Sequence, residues 1–149
     1  MSSVEDLQER LVAFVRAFGL HQPERTPCGE QVSVSQAHAL SELAAQPLTQ
    51  SELARRLNLD RSVVSRLADG LAGCGRLRRE RHPHDRRAVL LVLTEQGRAA
   101  ADRLAGARRA RMATLVAGVP DDEREAVLRA LDLLVASLTK SRAKETAGA

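Results

Sequence analysis

Aromatic side chains are nearly missing. There is no tryptophan and no tyrosine, and Phe14 and Phe18 are the only phenylalanines in 149 residues. A pocket walled by aromatic rings is therefore poorly supported, and the four-residue spacing of the two phenylalanines reads as packing in a core or a dimer contact. Cysteine is equally scarce. Cys28 and Cys74 are too few and too far apart for a disulfide framework or a CxxC metal clip, which fits a reducing compartment. No stretch approaches the roughly 18 consecutive apolar residues of a membrane span, so no membrane partner is expected. The opening MSSVEDLQER lacks the basic n-region and apolar run of a secretory signal, and a cytoplasmic location is expected. A Walker loop, an HExxH helix and a GxSxG elbow are also absent, so neither catalysis nor a cofactor is expected. Lysine occurs only at Lys140 and Lys144, and arginine carries nearly all the positive charge.

What is present is one domain's worth of chain, 44% hydrophobic and 28% charged, the composition of a soluble globular protein. The net charge is only +4, but its location is informative. Between Asn58 and Arg87 stand eight arginines against Asp60, Asp69, Glu80 and Asp85, which accounts for the whole excess and leaves the remainder neutral. Charge gathered in one stretch makes a local field that attracts phosphate and speeds encounter with nucleic acid.

Hydrophobic periodicity organises the rest. Val4, Leu7, Leu11, Phe14, Val15 and Phe18 line one face of an amphipathic helix ending near Gly19. The segment His21 to Glu30, with Pro23, Pro27 and Gly29, reads as a connection, after which Ser35 is the expected cap of a second helix carrying Ala39, Leu40 and Leu43. Thr49 with Glu52 forms a capping box for a short helix from about Gln50 to Leu57, Asn58 makes the turn, and a further helix follows from about Arg61 to Gly73. Past Gly75 come a strand, a charged loop and the apolar run Ala88 to Leu93, a β-hairpin. Thr94 caps a long helix through Leu104 and Leu115. Pro120 opens a last one with Val127, Leu131, Leu134 and Leu138 in register, and the tail is expected to fray from Ser141.

The expected fold is thus mainly α with a small β-hairpin wing: a helix-turn-helix at about 35–95, flanked by helices at about 4–20 and 96–140 within a single domain of residues 1–149. The middle module is too small to cover the apolar faces of both end helices. A second copy of the chain would cover them, giving an isologous homodimer through Leu7, Leu11, Phe14, Val127, Leu131, Leu134 and Leu138. A monomer with its terminal helices packed together is the alternative.

Leu53, Leu57, Val64 and Leu67 are expected to share one core, with Ala54 small where two helices cross. On the second helix Val64, Leu67 and Leu71 share one face, while Ser62, Ser65, Arg66 and Asp69 fall on another at helical spacing. Small hydroxyls let a helix sit deep in a major groove about 12 Å wide, and an arginine there can donate two hydrogen bonds to guanine. A solvated surface would look similar, so the hairpin decides. Its tip, His82-Pro83-His84-Asp85-Arg86-Arg87, is a basic finger placed to enter an adjacent minor groove. Asp85 is out of place beside phosphate unless it orients the guanidinium of Arg87, two residues on along a strand. His82, His84 and Asp85 are poor metal ligands on a loop without supporting groups, and no metal site is expected.

The runs Leu48-Thr49-Gln50-Ser51-Glu52-Leu53-Ala54, Arg61-Ser62-Val63-Val64-Ser65-Arg66-Leu67, Asp85-Arg86-Arg87 and Leu93-Thr94-Glu95-Gln96-Gly97 occur in that order. Together they resemble the MarR family of bacterial transcription regulators, whose wing signature is Asp, any residue, Arg. The resemblance implies a two-fold dimer with one winged helix-turn-helix per subunit, binding double-stranded DNA at a pseudo-palindrome, and repression is the family's usual mode. Carried onto matching positions, it implies that Ser62, Ser65 and Arg66 face the major groove and that Arg87 enters the minor groove, held by Asp85. Arg86 would meet phosphate, as would Thr49 and Gln50 at a helix N-terminus, and Arg61, Arg81 and His82 complete the expected DNA-binding set. The chain departs from the family at Gly70 and Gly73, which cost up to ~1 kcal/mol each in a helix interior and lead us to expect a reading helix shortened after Asp69.

Family members often answer to small aromatic or phenolic effectors between the DNA-binding lobe and the dimer helices. His21 and His38 are the candidates to line such a crevice, but each also reads as a hydrogen-bonded structural histidine, and no effector is assigned. Cys28, in its connection, invites comparison with the family's peroxide-sensing branch, whose reactive cysteine lies in the first helix instead. No base near Cys28 is evident to lower its pKa, and Cys74 is expected to be buried. Two other functions remain open from the sequence: a thiol-sensing regulator using Cys28, and a winged-helix module that binds protein or structured RNA through the same basic face.

Overall fold

The computed structural model describes residues 3–22, 25–26 and 31–147, with side chains as far as Ala143. Cys28 lies outside the described residues. The elements follow the order α1 (Val4–Phe18), α2 (Val34–Ala45), β1 (Leu48–Thr49), α3 (Gln50–Leu57), α4 (Arg61–Gly73), β2 (Leu77–Arg81), β3 (Val89–Leu93), α5 (Glu95–Ala117), a 3-10 turn (Asp121–Glu123) and α6 (Arg124–Ala147). The chain divides into two compact units, Met1–Arg111 and Met112–Ala149.

Reciprocal capping boxes set three of the helix starts. Ser3 Oγ accepts from the amide of Asp6 while Asp6 accepts from the amide of Ser3, and the same exchange joins Ser33 to Gln36 and Thr49 to Glu52. Each box satisfies two amides that the first helical turn leaves without partners. The cap of α2 is thus Ser33 and not Ser35. Gln36 supplies the reciprocal acceptor to Ser33, whereas the residue three beyond Ser35 is His38, which is no such partner.

The core of the first unit lies among α2, α3, α4, the sheet and the start of α5. Leu40, Leu53, Val64, Leu71, Leu91 and Leu93 are its largest fully buried side chains, and Ala100, Ala101 and Leu104 close it from α5. On α4 the buried positions are Val64, Ala68 and Leu71, while Leu67 is only half-buried. Alanine takes the inner position expected of leucine, and Leu57 likewise packs at the edge of the core.

The sheet has three strands in the order β1-β3-β2, all antiparallel, so the hairpin of β2 and β3 gains a short third member. Leu48 opposes Leu91 and Thr49 opposes Leu90, while β2 and β3 run in register from Leu77–Leu93 to Arg81–Val89. β1 therefore ties the N-terminus of α3 to the middle of β3.

The joint between α4, the hairpin and α5 is tight. Gly75 adopts φ +74°, in the left-handed region that favours glycine. Thr94 Oγ1 donates to the Gly75 carbonyl at 2.6 Å and accepts from the Gly97 amide at 3.0 Å, and the Thr94 amide donates to the Arg76 carbonyl at 3.1 Å. A Cβ on Gly97 would stand 1.9 Å from that carbonyl oxygen, so the backbones meet where only glycine fits.

In the second unit, Pro120 precedes the 3-10 turn, Arg124 pairs with Asp121 at 2.6 Å, and α6 runs unbroken to Ala147, past the point where fraying was expected. Seven further residues in helical hydrogen bonding lengthen α6 by about two turns. Among the described residues no helix is long and apolar enough to cross a membrane.

Candidate nucleic-acid interface

The turn between α3 and α4 is built on Asn58, the one non-glycine residue with positive φ among the described residues, at φ 54° and ψ 49°. Asparagine tolerates this left-handed geometry better than most side chains. The Leu59 amide donates to the Ala54 carbonyl at 3.0 Å, closing α3 as the chain turns away. Asp60 then enters α4 in extended conformation without capping through its side chain.

α4 presents Arg61, Ser62 and Arg66 exposed and Ser65 half-buried, with Asp69 one turn further along the same polar face. The helix continues through Gly70 to Gly73, which corrects the expectation that these glycines would shorten it. Burial of Ala68 and Leu71 on its inner face offsets the weak intrinsic preference of glycine for helix. Cys74 follows at the C-cap. It is exposed and not buried, because the chain turns outward there into Gly75, and its thiol donates to the Leu71 carbonyl at 3.4 Å.

The hairpin carries the second cluster. The His82 amide donates to the Ala88 carbonyl at 3.1 Å and the Ala88 amide to the Asp85 carbonyl at 3.1 Å, closing a loop that projects Arg86 and Arg87 into solvent. Asp85 does not hold the Arg87 guanidinium. Its Oδ1 accepts from the Arg87 backbone amide at 2.9 Å, because residues 85–87 form a turn and not a strand, and the carboxylate there reaches the main chain first. Asp85 thus shapes the tip, and Arg87 stays exposed. The His84 amide donates to His82 Nδ1 at 3.2 Å, which adds a second brace.

Thr49 and Gln50 lie at the N-terminus of α3, both half-buried. The Thr49 hydroxyl donates to Glu52 Oε2 at 3.1 Å, and Glu52 also accepts from the Thr49 amide at 2.8 Å. These bonds to the charged form hold the Glu52 carboxyl below its ordinary range, with smaller help from Arg55 and His82. His21 and His38 are both exposed, and neither lines the shallow groove beside Val32 and Gln36 or the one along Glu5, Glu9 and Arg16 of α1.

Known proteins share this arrangement. The model of the MarR family matches residues 30–88, the stretch that holds α2 to the wing tip. An uncharacterised HTH-type transcriptional regulator of Mycobacterium leprae is 31% identical over 140 residues, covering 91% of this chain and 92% of the relative. The chain belongs to the MarR family. It is a winged-helix transcription regulator, and the whole-length agreement with the mycobacterial relative extends the assignment to the helices on both sides of the wing.

Another relative matches over less. The HTH-type transcriptional repressor YetL of Bacillus subtilis is 27% identical over 84 residues, and the match spans 56% of this chain and 50% of that protein. Among solved structures, FabT of Streptococcus pneumoniae in complex with DNA aligns with a TM-score of 0.79 at 21% identity, covering 93% of this chain and 99% of that one. At that identity the likeness establishes the fold.

The sequence missed β1, since two residues are too few for any periodicity, and it did not show that Asp85 bonds the main chain of Arg87. The exposed ion pair between Asp69 and Arg79 was also missed, because a separation of ten positions hides it from helix- or strand-spacing rules.

Proposed function

We propose that the chain is a repressor that binds a pseudo-palindromic operator as a homodimer in the cytoplasm. Residues 35–95 form the DNA-binding lobe, and the helices at 4–20 and 96–140 form the dimer contact. α4 enters the major groove with Ser62, Ser65 and Arg66 at base edges and Arg61 close to the backbone. The wing enters the minor groove through Arg87. Arg86, Arg81 and His82 serve the phosphates beside it, and Thr49 and Gln50 meet phosphate at the start of α3.

The observation that carries this reading is the exposed face of Ser62, Ser65 and Arg66 beside a braced loop whose arginines stand clear of the fold. A slim polar helix next to a cationic finger matches adjacent grooves of a duplex. That FabT, which shares the fold, was solved in complex with DNA supports DNA as the partner. The dimer rests on the exposed apolar side chains of α1 and α6, Leu7, Leu11, Phe14, Val127, Leu131 and Leu138 among them.

Base reading and phosphate contact separate in competition binding. Arg66→Ala lowers discrimination between a preferred and a scrambled duplex by ~1–3 kcal/mol, whereas Arg86→Ala weakens both duplexes alike and reduces the salt slope by about one. Parental behaviour of both variants on every duplex would remove these residues from the interface.

A further inference from the structure

The polar face of α4 contains one residue that works against DNA binding if it acts alone. Asp69 follows Ser62, Ser65 and Arg66 along the helix and is 65% exposed, and a carboxylate so placed repels phosphate. Its Oδ1 accepts from Arg79 Nη2 at 2.6 Å. Arg79 stands in the middle of β2, opposite Leu91, so the pair joins the reading helix directly to the first strand of the wing. Beneath it Leu71 of α4 and Leu77 of β2 lie in one apolar core, and the Arg76 amide donates to the Leu71 carbonyl at 2.9 Å where the chain leaves the helix. The ion pair adds a second directed link farther along the strand, because a guanidinium donates along fixed axes. Exposed ion pairs contribute little to stability, so the fold does not depend on this one.

We propose that Asp69 and Arg79 are positioning residues whose ion pair sets the separation of α4 from the wing, so that helix and finger reach adjacent grooves of the operator together. This rests on the DNA reading above. The pair also sorts the basic segment. Arg79 is engaged by Asp69 and Arg78 by Glu80, the latter at 2.6 Å, whereas Arg81, Arg86 and Arg87 form no ion pair among the described residues. The wing's charge for DNA is thus concentrated at and beyond the end of β2, and the middle of the strand serves geometry.

The test is a charge-swap cycle in the full-length chain with Asp69→Asn, Arg79→Gln and the double variant Asp69→Arg/Arg79→Asp. The probes are the duplex that the parent enriches from a random pool and a scrambled duplex of the same length. Each single variant is expected to lose about fivefold or more in affinity for the enriched duplex while staying within roughly twofold on the scrambled one, and the swap is expected to recover most of the loss. Melting temperatures close to the parent's show that the singles act on geometry and not on folding. Parental affinity in both singles overturns the proposal, as does a swap in which the losses add. A changed base preference at one position in Asp69→Asn would make Asp69 a reader of cytosine instead. A loss on both duplexes in Arg79→Gln, with a salt slope lower by about one, would make Arg79 a phosphate contact. Failure of the parent to enrich any sequence overturns the DNA reading itself, and the pair's proposed role with it, which is distinguishable from failure of the cycle alone.

Discussion

Gly97→Ala is expected to lower the melting temperature by about 10 °C, from a destabilisation of about 3 kcal/mol. The cause is local. A Cβ at this position would stand 1.9 Å from the Arg76 carbonyl oxygen and 2.9 Å from its carbon, and a backbone carbonyl cannot rotate away as a side chain can. That carbonyl is itself bound by the Thr94 amide, and the Gly97 amide donates to Thr94 Oγ1, so relief of the clash breaks the joint that holds α5 to the base of the wing. Gly106 in the same helix provides the control. No atom lies within 4 Å of the place its Cβ would take, so Gly106→Ala is expected to stabilise by ~0.5–1 kcal/mol through helix propensity alone. Calorimetry on the two variants separates the effects. Equal melting temperatures for Gly97→Ala and the parent would mean that the backbones do not meet there.

The second large effect concerns the end helices. α1 exposes Val4, Leu7, Leu11, Val12, Phe14 and Val15, and α6 exposes Leu128, Leu131, Leu133, Val135 and Leu138, with Leu133 and Leu138 each at 67%. Single exposed apolar residues are ordinary, but each helix carries a row of them, with Leu133 alone off the α6 row, and each row is a face that water covers at a cost. Phe14 and Phe18 stack at 5.4 Å, and the Arg111 guanidinium lies 5.6 Å from the Phe18 ring centre, so the aromatic pair is fixed at the edge of the α1 row. With homodimerisation through these rows, Leu131→Glu/Leu138→Glu buries two carboxylates in the contact and produces a monomer in sedimentation at micromolar concentration. Loss of the linked half-sites should then lower operator affinity by about 100-fold or more. Because both positions are exposed in the single chain, far-ultraviolet circular dichroism should stay helical. An intact dimer in this variant would place the contact elsewhere.

Much of this was legible in the sequence wherever one local rule governs. The bounds of α3 follow from Thr49 and Glu52, and the turn from Asn58, because a capping box and a left-handed asparagine act within four residues. The wing strands follow from the switch between the basic run and the apolar run that opposes it. The failures arose where tertiary contact overrode such rules. Ala68 and not Leu67 faces inward on α4, since the crossing with its neighbours favours the small side chain. Gly70 and Gly73 remain helical because the other face of the same turns is buried. Asp85 is a local case: in a turn its carboxylate reaches the amide two residues on, whereas strand spacing had pointed it at the Arg87 side chain.

Among the site residues, sequence pattern identified the outward face of α4 and the basic tip. It did not reveal that Asp69 is spoken for by Arg79. The Glu52 carboxyl was legible only as a cap. Its lowered pKa has a consequence for pH: a group depressed in the folded state stabilises above its unfolded pKa, and that contribution is lost as pH falls through the folded value.

The measurement that reaches the central claim most directly is selection of bound sequences from a random duplex pool by the full-length chain at moderate salt. The account predicts an enriched two-fold motif whose half-sites lie about one helical turn apart, as two copies of α4 on one face of the duplex require. A single unrepeated motif would contradict the dimer, and no enrichment even at low salt would contradict DNA reading itself.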